Sequence, residues 1–250
     1  MTKENQTIPW GLPLSWPDNE LKKLGLNEES YLTILGSGDV GFLTNQQQKY
    51  GAYTTGIDIS SEMYQFAQQD HGEKLFAVWD DLTALPNYLT RMGESIRSDI
   101  TSSKDPDFYI CSSLLVNFVE PADRQKFAAA LTYALKTNDI LVIIDHLQKD
   151  TGPFGNENIH QEYQNRYSEA QAIGKLYGDT WTNHPPRWIH HFSVEELETL
   201  FPNSFYNYVD IRTVPYTGDS GKTTNAIQLI LEMQNCFSKE EIENYYGVAL

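Results

Sequence analysis

From Tyr31 onward the chain alternates short apolar runs with longer polar or amphipathic stretches. Tyr31–Leu35 reads as a buried strand that runs into the glycine-rich turn GSGDVG at 36–41. Further strands are predicted over Tyr53–Asp58, Leu75–Trp79, Phe108–Ser112 and Ile140–Asp145. The last is uniformly apolar, as a parallel strand covered on both faces must be. Between them the pattern predicts helices over Phe42–Tyr50, from an N-cap at Ser60 to about Asp70, after the Asp80–Pro86 loop to about Arg97, and from Pro121 to about Lys136. A strand–helix alternation of this kind folds as an α/β domain, an open parallel sheet with helices on both faces.

The alternation breaks at 146–192, a polar, aromatic stretch carrying five histidines together with Pro185 and Pro186. A connection of that length in a compact domain is usually functional or mobile, and it is expected to form a cap inserted after the fifth strand. Regularity returns at Ser193, which has capping-box spacing to Glu196. Two strand-like runs at about 205–214 and 224–234 flank the turn-rich TGDSGK and predict an antiparallel hairpin at the sheet edge. At the other end, IPWGLPLSWP cannot be a helix. It predicts an arm or lid within residues 1–30, followed by a short helix N-capped by Asp18 and ending near Gly25. The linker-like SDITSSKDP at 98–106 is read as a surface connection, and the whole chain as one domain.

Composition narrows the function. A chain of 250 residues with 40% hydrophobic residues can bury a sizeable core. Its formal net charge is -16 and its pI about 4.6, which disfavours nucleic acid and anionic membranes as partners. No apolar run approaches a membrane span and Met1–Pro9 is polar, so a soluble cytoplasmic protein is expected. Neither Cys111 nor Cys236 has metal-ligand spacing, so they read as structural thiols and no metal is expected.

Gly36, Gly38 and Gly41 form a GxGxxG turn between the first strand and the first helix. Glycines there let a ligand approach the backbone, and the helix N-terminus behind them favours an anionic group. Asp58 ends the second strand, where a carboxylate can accept hydrogen bonds from both hydroxyls of a ribose. Together these features point to an adenosine-containing ligand, and the spacing suits a nicotinamide dinucleotide as well as S-adenosylmethionine. GDSGKTT at 218–224 lacks the first glycine of a phosphate-binding loop, because position 216 is tyrosine, and a strand-like run follows it.

The downstream segments favour one of the two ligands. GIDISSEMYQFAQ, AVWDDLTALP, DFYICSSLLVNF, LKTNDILVIIDH and HHFSVEELETLF resemble, in order and spacing, the segments of class I S-adenosylmethionine-dependent methyltransferases, over roughly 31–234. The resemblance implies a Rossmann-like, mostly parallel seven-stranded sheet with helices on both faces, an antiparallel terminal hairpin, and a cap inserted between strands 5 and 6. It also implies S-adenosylmethionine as cofactor. Gly36, Ser37 and Gly38 would line its methionine and ribose, and Asp58 would hold the ribose hydroxyls. Ile59 would pack on the adenine, Asp81 would accept from the adenine amino group with the Leu82 backbone nearby, and Ser112 would sit by the methionine end. One position departs from the family pattern: the acid usually found two residues before the first glycine is Ile34 here.

The activity implied is methyl transfer to an oxygen or nitrogen of a small-molecule acceptor, in which the enzyme contributes mainly proximity, orientation and a base. His146, at the end of the fifth strand, and His191 are the leading candidates for the base, with His160 and His190 as further ones; a loop histidine is also commonly structural. Tyr163, Tyr167, Tyr177, Trp181 and Trp188 fit either the wall of a planar-substrate site or the core of the cap. A non-catalytic binding module, motivated by Ile34, and an NAD(P)-dependent oxidoreductase, motivated by the glycine turn with Asp58, remain as alternatives.

Overall fold

The computed structural model describes residues 17–37, 40–58, 65, 74–79, 84–98, 106–183, 186–217 and 222–250. In chain order these hold α1 (Asp18–Lys23), β1 (Tyr31–Leu35), α2 (Val40–Tyr50), β2 (Tyr53–Asp58), β3 (Leu75–Trp79), α3 (Leu85–Ser98), β4 (Phe108–Ser112), a 3₁₀ turn (Leu115–Asn117), α4 (Pro121–Ala134) and β5 (Ile140–His146). There follow α5 (Glu157–Ala172), β6 (Asp179–Asn183), β7 (Pro186–His190), α6 (Val194–Leu200), β8 (Tyr206–Thr217), β9 (Thr223–Met233) and α7 (Lys239–Tyr246). The expected helix from Ser60 and the arm before Pro17 lie outside the described residues, as do the central residues of the TGDSGK turn and most of the 98–106 linker.

The main sheet has the order β3-β2-β1-β4-β5-β9-β8. Its first five strands are parallel, with Leu35 opposite both Ile57 and Cys111, and β9 and β8 complete it antiparallel. The expected edge hairpin therefore enters with its second strand inside, next to β5, and its first strand at the edge. The order reverses between β1 and β4, so the carboxyl ends of these strands open a crevice where ligands bind in such sheets.

Side-chain alternation explains why the central strands are apolar throughout. Phe108 and Ile110 of β4 join Ile140, Val142 and Ile144 of β5 in a core under Leu21 of α1 and Leu43 of α2. Tyr109 and Cys111 join Leu141 and Ile143 in the opposite core, under Phe127 and Leu131 of α4, Leu89 of α3 and Ile242 of α7. Each face is thus sealed by helices, and every second residue serves a different core.

Three details differ from the sequence expectation. Position 17, a proline, stands at the N-cap of α1 without a capping side chain, because the Asp18 carboxylate is taken by Lys49 and Tyr50 across the domain. The insertion is regular: α5, capped by Asn156, packs with a separate two-stranded sheet of β6 and β7. A parallel bridge between Leu147 and Phe192 ties its two ends together. A C-terminal helix, α7, with a Ser238–Glu241 capping box, follows the terminal hairpin on which the sequence pattern ends. It docks through Tyr246, whose hydroxyl donates to the Leu200 carbonyl at 2.6 Å. The Ser193–Glu196 capping box of α6 forms as its sequence spacing requires.

Candidate active site

The glycine turn begins with Gly36 at φ +73°, a left-handed conformation that a side chain makes costly. Its N–H donates to the Ile57 carbonyl at 2.9 Å, which fastens the turn to the end of β2 beside Asp58. On its other side, a Cβ at Gly36 would lie 3.1 Å from the Leu114 Cβ and 3.3 Å from the Ser112 carbonyl oxygen. The turn is therefore held between the ends of β2 and β4. It brings Gly36, Ser37, the half-buried Asp58 and the buried Ser112 to one end of the sheet. The Ser37 hydroxyl is buried and has no hydrogen-bond partner among the described residues. Ser113, which the sequence did not single out, adopts φ +51° while its N–H bonds the Ile144 carbonyl at 2.8 Å, and its hydroxyl is likewise buried without a partner. Non-glycine residues held there cost about 1–3 kcal/mol and concentrate at functional sites. Gly38, Ile59, Asp81 and Leu82 lie outside the described residues.

Ile34 is fully buried in the core formed with Leu43 and Phe108. The departure from the family pattern is thus a packing residue, facing the helices rather than the crevice.

At the end of β5 a second set of groups converges. Asp145 is fully buried and accepts N–H bonds from His146 at 2.8 Å and from Val116 at 3.3 Å, joining β5 to the 3₁₀ turn after β4. Burial pushes its carboxyl up to about 7, against the stabilising backbone donors. Its folded value therefore lies above the unfolded one, so its contribution to stability is complete below about pH 4 and is lost as pH rises through about 7. In an Asp145→Asn variant this dependence is absent. Urea unfolding of both proteins at pH 5 and pH 8 is expected to show the variant gaining about 2–3 kcal/mol on the wild type between those values. Asp139, whose carboxyl burial also pushes up to about 7, titrates in both proteins and cancels.

His146 and His191 stack with ring centroids 5.7 Å apart, so the two leading base candidates occupy one compartment. Tyr216 of β8 closes on the His146 ring edge at 4.7 Å. The Tyr167 hydroxyl accepts the Lys149 N–H at 3.0 Å and lies 2.7 Å from His191 Nδ1, which ties α5 to both ends of the insertion. His191 Nε2 and His146 Nδ1 are both buried and have no partner among the described residues. Burial, reinforced by the nearby Lys149 cation, holds both imidazoles well below the usual histidine range, so both are neutral at pH 7. His146 keeps part of its surface accessible, whereas His191 is fully buried.

The other two histidines serve the scaffold. His190 is clamped between Asp179 at 2.7 Å and Glu196 at 3.2 Å, pinning the small sheet to the start of α6. His160 meets the Phe154 carbonyl at 3.3 Å. The insertion's aromatics divide in the same way. Tyr163 and Tyr167 face His191, and Tyr177 backs Tyr167 at 5.1 Å. Trp181 and Trp188 instead pair with each other on the hairpin, with Trp181 exposed. A shallow groove lined by Asn87, Arg91, Glu94 and Lys239 shares no residue with either half of this crevice.

A sheet ordered in this way, with a glycine turn after β1 and an antiparallel β8–β9 pair, is the class I S-adenosylmethionine-dependent methyltransferase fold. A methyltransferase from Methanosarcina mazei superposes with a TM-score of 0.63 at 18% identity, over 86% of this chain and 97% of that one. One from Anabaena variabilis gives 0.56 at 14% identity, over 88% and 84%. The Burkholderia thailandensis 1,6-didemethyltoxoflavin-N1-methyltransferase, solved with its acceptor and S-adenosylhomocysteine, gives 0.53 at 16% identity, over 86% and 75%. No family model and no curated protein matches the sequence.

Proposed function

We propose that this protein binds S-adenosylmethionine in the β1–β2–β4 crevice and transfers its methyl group to an oxygen or nitrogen of a small acceptor held at the end of β5. The observation that carries the reading is the meeting of two half-sites at one sheet end. Gly36, Ser37, Asp58 and Ser112 form one, and His146 with His191 forms the other. The residues fit the cofactor. Gly36 carries the turn in a left-handed conformation at the end of β1, and the orphaned Ser37 hydroxyl beside it supplies a buried polar contact. Asp58 stands where ribose hydroxyls can be held.

When bound, the cofactor supplies a methyl group already activated as a sulfonium. The protein then has to orient the acceptor, exclude water and take up its proton. The tyrosines of α5 and β8 shield the compartment, and the neutral, partly accessible His146 is the proton acceptor, with His191 beside it fixed by Tyr167. Residues 146–192 act as the acceptor cap of a single domain working in the cytoplasm. A neighbour of the same fold, the 1,6-didemethyltoxoflavin-N1-methyltransferase, supports the acceptor class. The apolar Ile34 favours a second reading, a binding module that has lost turnover.

The test is transfer of label from methyl-labelled S-adenosylmethionine to a library of small hydroxyl- and amine-bearing compounds. Labelled small product supports the enzyme; cofactor binding without product across the library supports the binding module. Asp58→Ala is expected to weaken S-adenosylhomocysteine binding about 10- to 150-fold, the loss of charge-assisted hydrogen bonds worth about 1.5–3 kcal/mol, read by calorimetry.

A further inference from the structure

Three residues after His146, Lys149 is 6% exposed yet makes no ion pair among the described residues. Buried lysines are rare unless paired. Its Nζ instead sits 5.2 Å from the ring of Tyr163 on α5 and 5.2 Å from the ring of Tyr216 on β8. The faces of two aromatic rings attract a cation but do not neutralise it. The other cation on this side, Arg166, is paired with Glu162 at 2.8 Å, and Lys222 shares the same carboxylate. Asp150, the acid next in sequence, is turned away to accept from the Tyr177 hydroxyl. The groups facing Lys149 are thus Tyr163 and Arg166 from α5, Tyr216 from β8, and the neutral His146 and His191. In a chain of net charge -16, this compartment carries an unneutralised positive charge beside the candidate base.

We infer that Lys149 is the anion-recognition residue of the acceptor compartment, and that the acceptor is a small carboxylate whose charge the lysine pairs while Tyr163 and Tyr216 flank it. Burial lowers the ammonium to about 8, which leaves it mostly charged at neutral pH and ready to gain from a desolvated partner. The stacked histidines would then meet the remainder of the molecule. This assignment rests on the proposed methyl transfer for the identity of the site, but anion binding itself can be read without turnover.

The experiment is a thermal-shift and calorimetric titration of the full chain with a panel of aromatic and aliphatic carboxylates, benzoate and indole-3-acetate among them. Each is paired with its neutral amide, and each is run with and without S-adenosylhomocysteine. The wild type is expected to bind at least one carboxylate ten-fold or more tightly than its amide. Lys149→Met should erase that preference and Lys149→Arg retain part of it, with S-adenosylhomocysteine affinity changed less than two-fold in both. If no carboxylate is preferred to its amide, or the preference survives in Lys149→Met, the assignment is overturned. A loss of S-adenosylhomocysteine binding in Lys149→Met also overturns it, because the lysine then serves the cofactor carboxylate. Carboxylate preference that depends on Lys149, in a protein that never binds S-adenosylhomocysteine, upholds the anion site and removes the methyltransferase reading instead.

Discussion

Gly36→Val is expected to abolish S-adenosylhomocysteine binding, with a fall in affinity of more than about 1000-fold, and to lower stability by about 3 kcal/mol. Two costs add. The φ of +73° is unfavourable for any side chain and most of all for a β-branched one. The new Cβ would sit 3.1 Å from the Leu114 Cβ and 3.3 Å from the Ser112 carbonyl oxygen, so relief requires moving the end of β4. Moving the end of β4 would also displace Ser112, which belongs to the proposed cofactor half-site. For a domain of this size the melting temperature should drop by about 6–12 °C. Calorimetry with S-adenosylhomocysteine below that melting point separates the binding loss from unfolding. A variant that binds normally would place the cofactor elsewhere.

His146→Ala is expected to lower kcat for methyl transfer by about 10²- to 10⁴-fold, the range for loss of a positioned base, while S-adenosylhomocysteine affinity stays within about two-fold. His146 lies at the β5 end, across from the glycine turn, so the cofactor half-site survives its removal. In the wild type the base must be neutral to accept a proton. Burial and Lys149 hold its imidazole well below the usual range. The acid limb of the pH–rate profile should therefore lie below pH 6.5, with no loss of rate from this group at neutral pH. Single-turnover label transfer across pH 5–8 measures both effects. An acid limb centred above pH 6.5 would exclude His146 as the base.

The legible part of the sequence was the part governed by local rules. The central strands β4 and β5 stand out because both faces are covered, so their composition is almost wholly apolar. Glycine at 36 and capping-box residues at 193 and 196 announce backbone geometry through residue type alone. The approach of His146 to His191 was not legible. It depends on the Leu147–Phe192 bridge and on a helix and hairpin folding back over forty residues of polar chain. Periodicity also could not sort the four candidate histidines, because whether a histidine is clamped, as His190 is by Asp179 and Glu196, is a tertiary fact. Lys149 was missed for the same reason: a lysine after a strand reads as solvated until Tyr163 and Tyr216 are seen to enclose it. The helix α7 had a readable signature in Ser238 and Glu241, followed by an apolar Ile242.

Calorimetric titration of the purified chain with S-adenosylhomocysteine tests the central claim most directly. The account predicts one site per chain with a micromolar dissociation constant, about 8 kcal/mol, that Asp58→Ala weakens at least ten-fold. Absence of binding at millimolar ligand, or binding indifferent to Asp58, would contradict it.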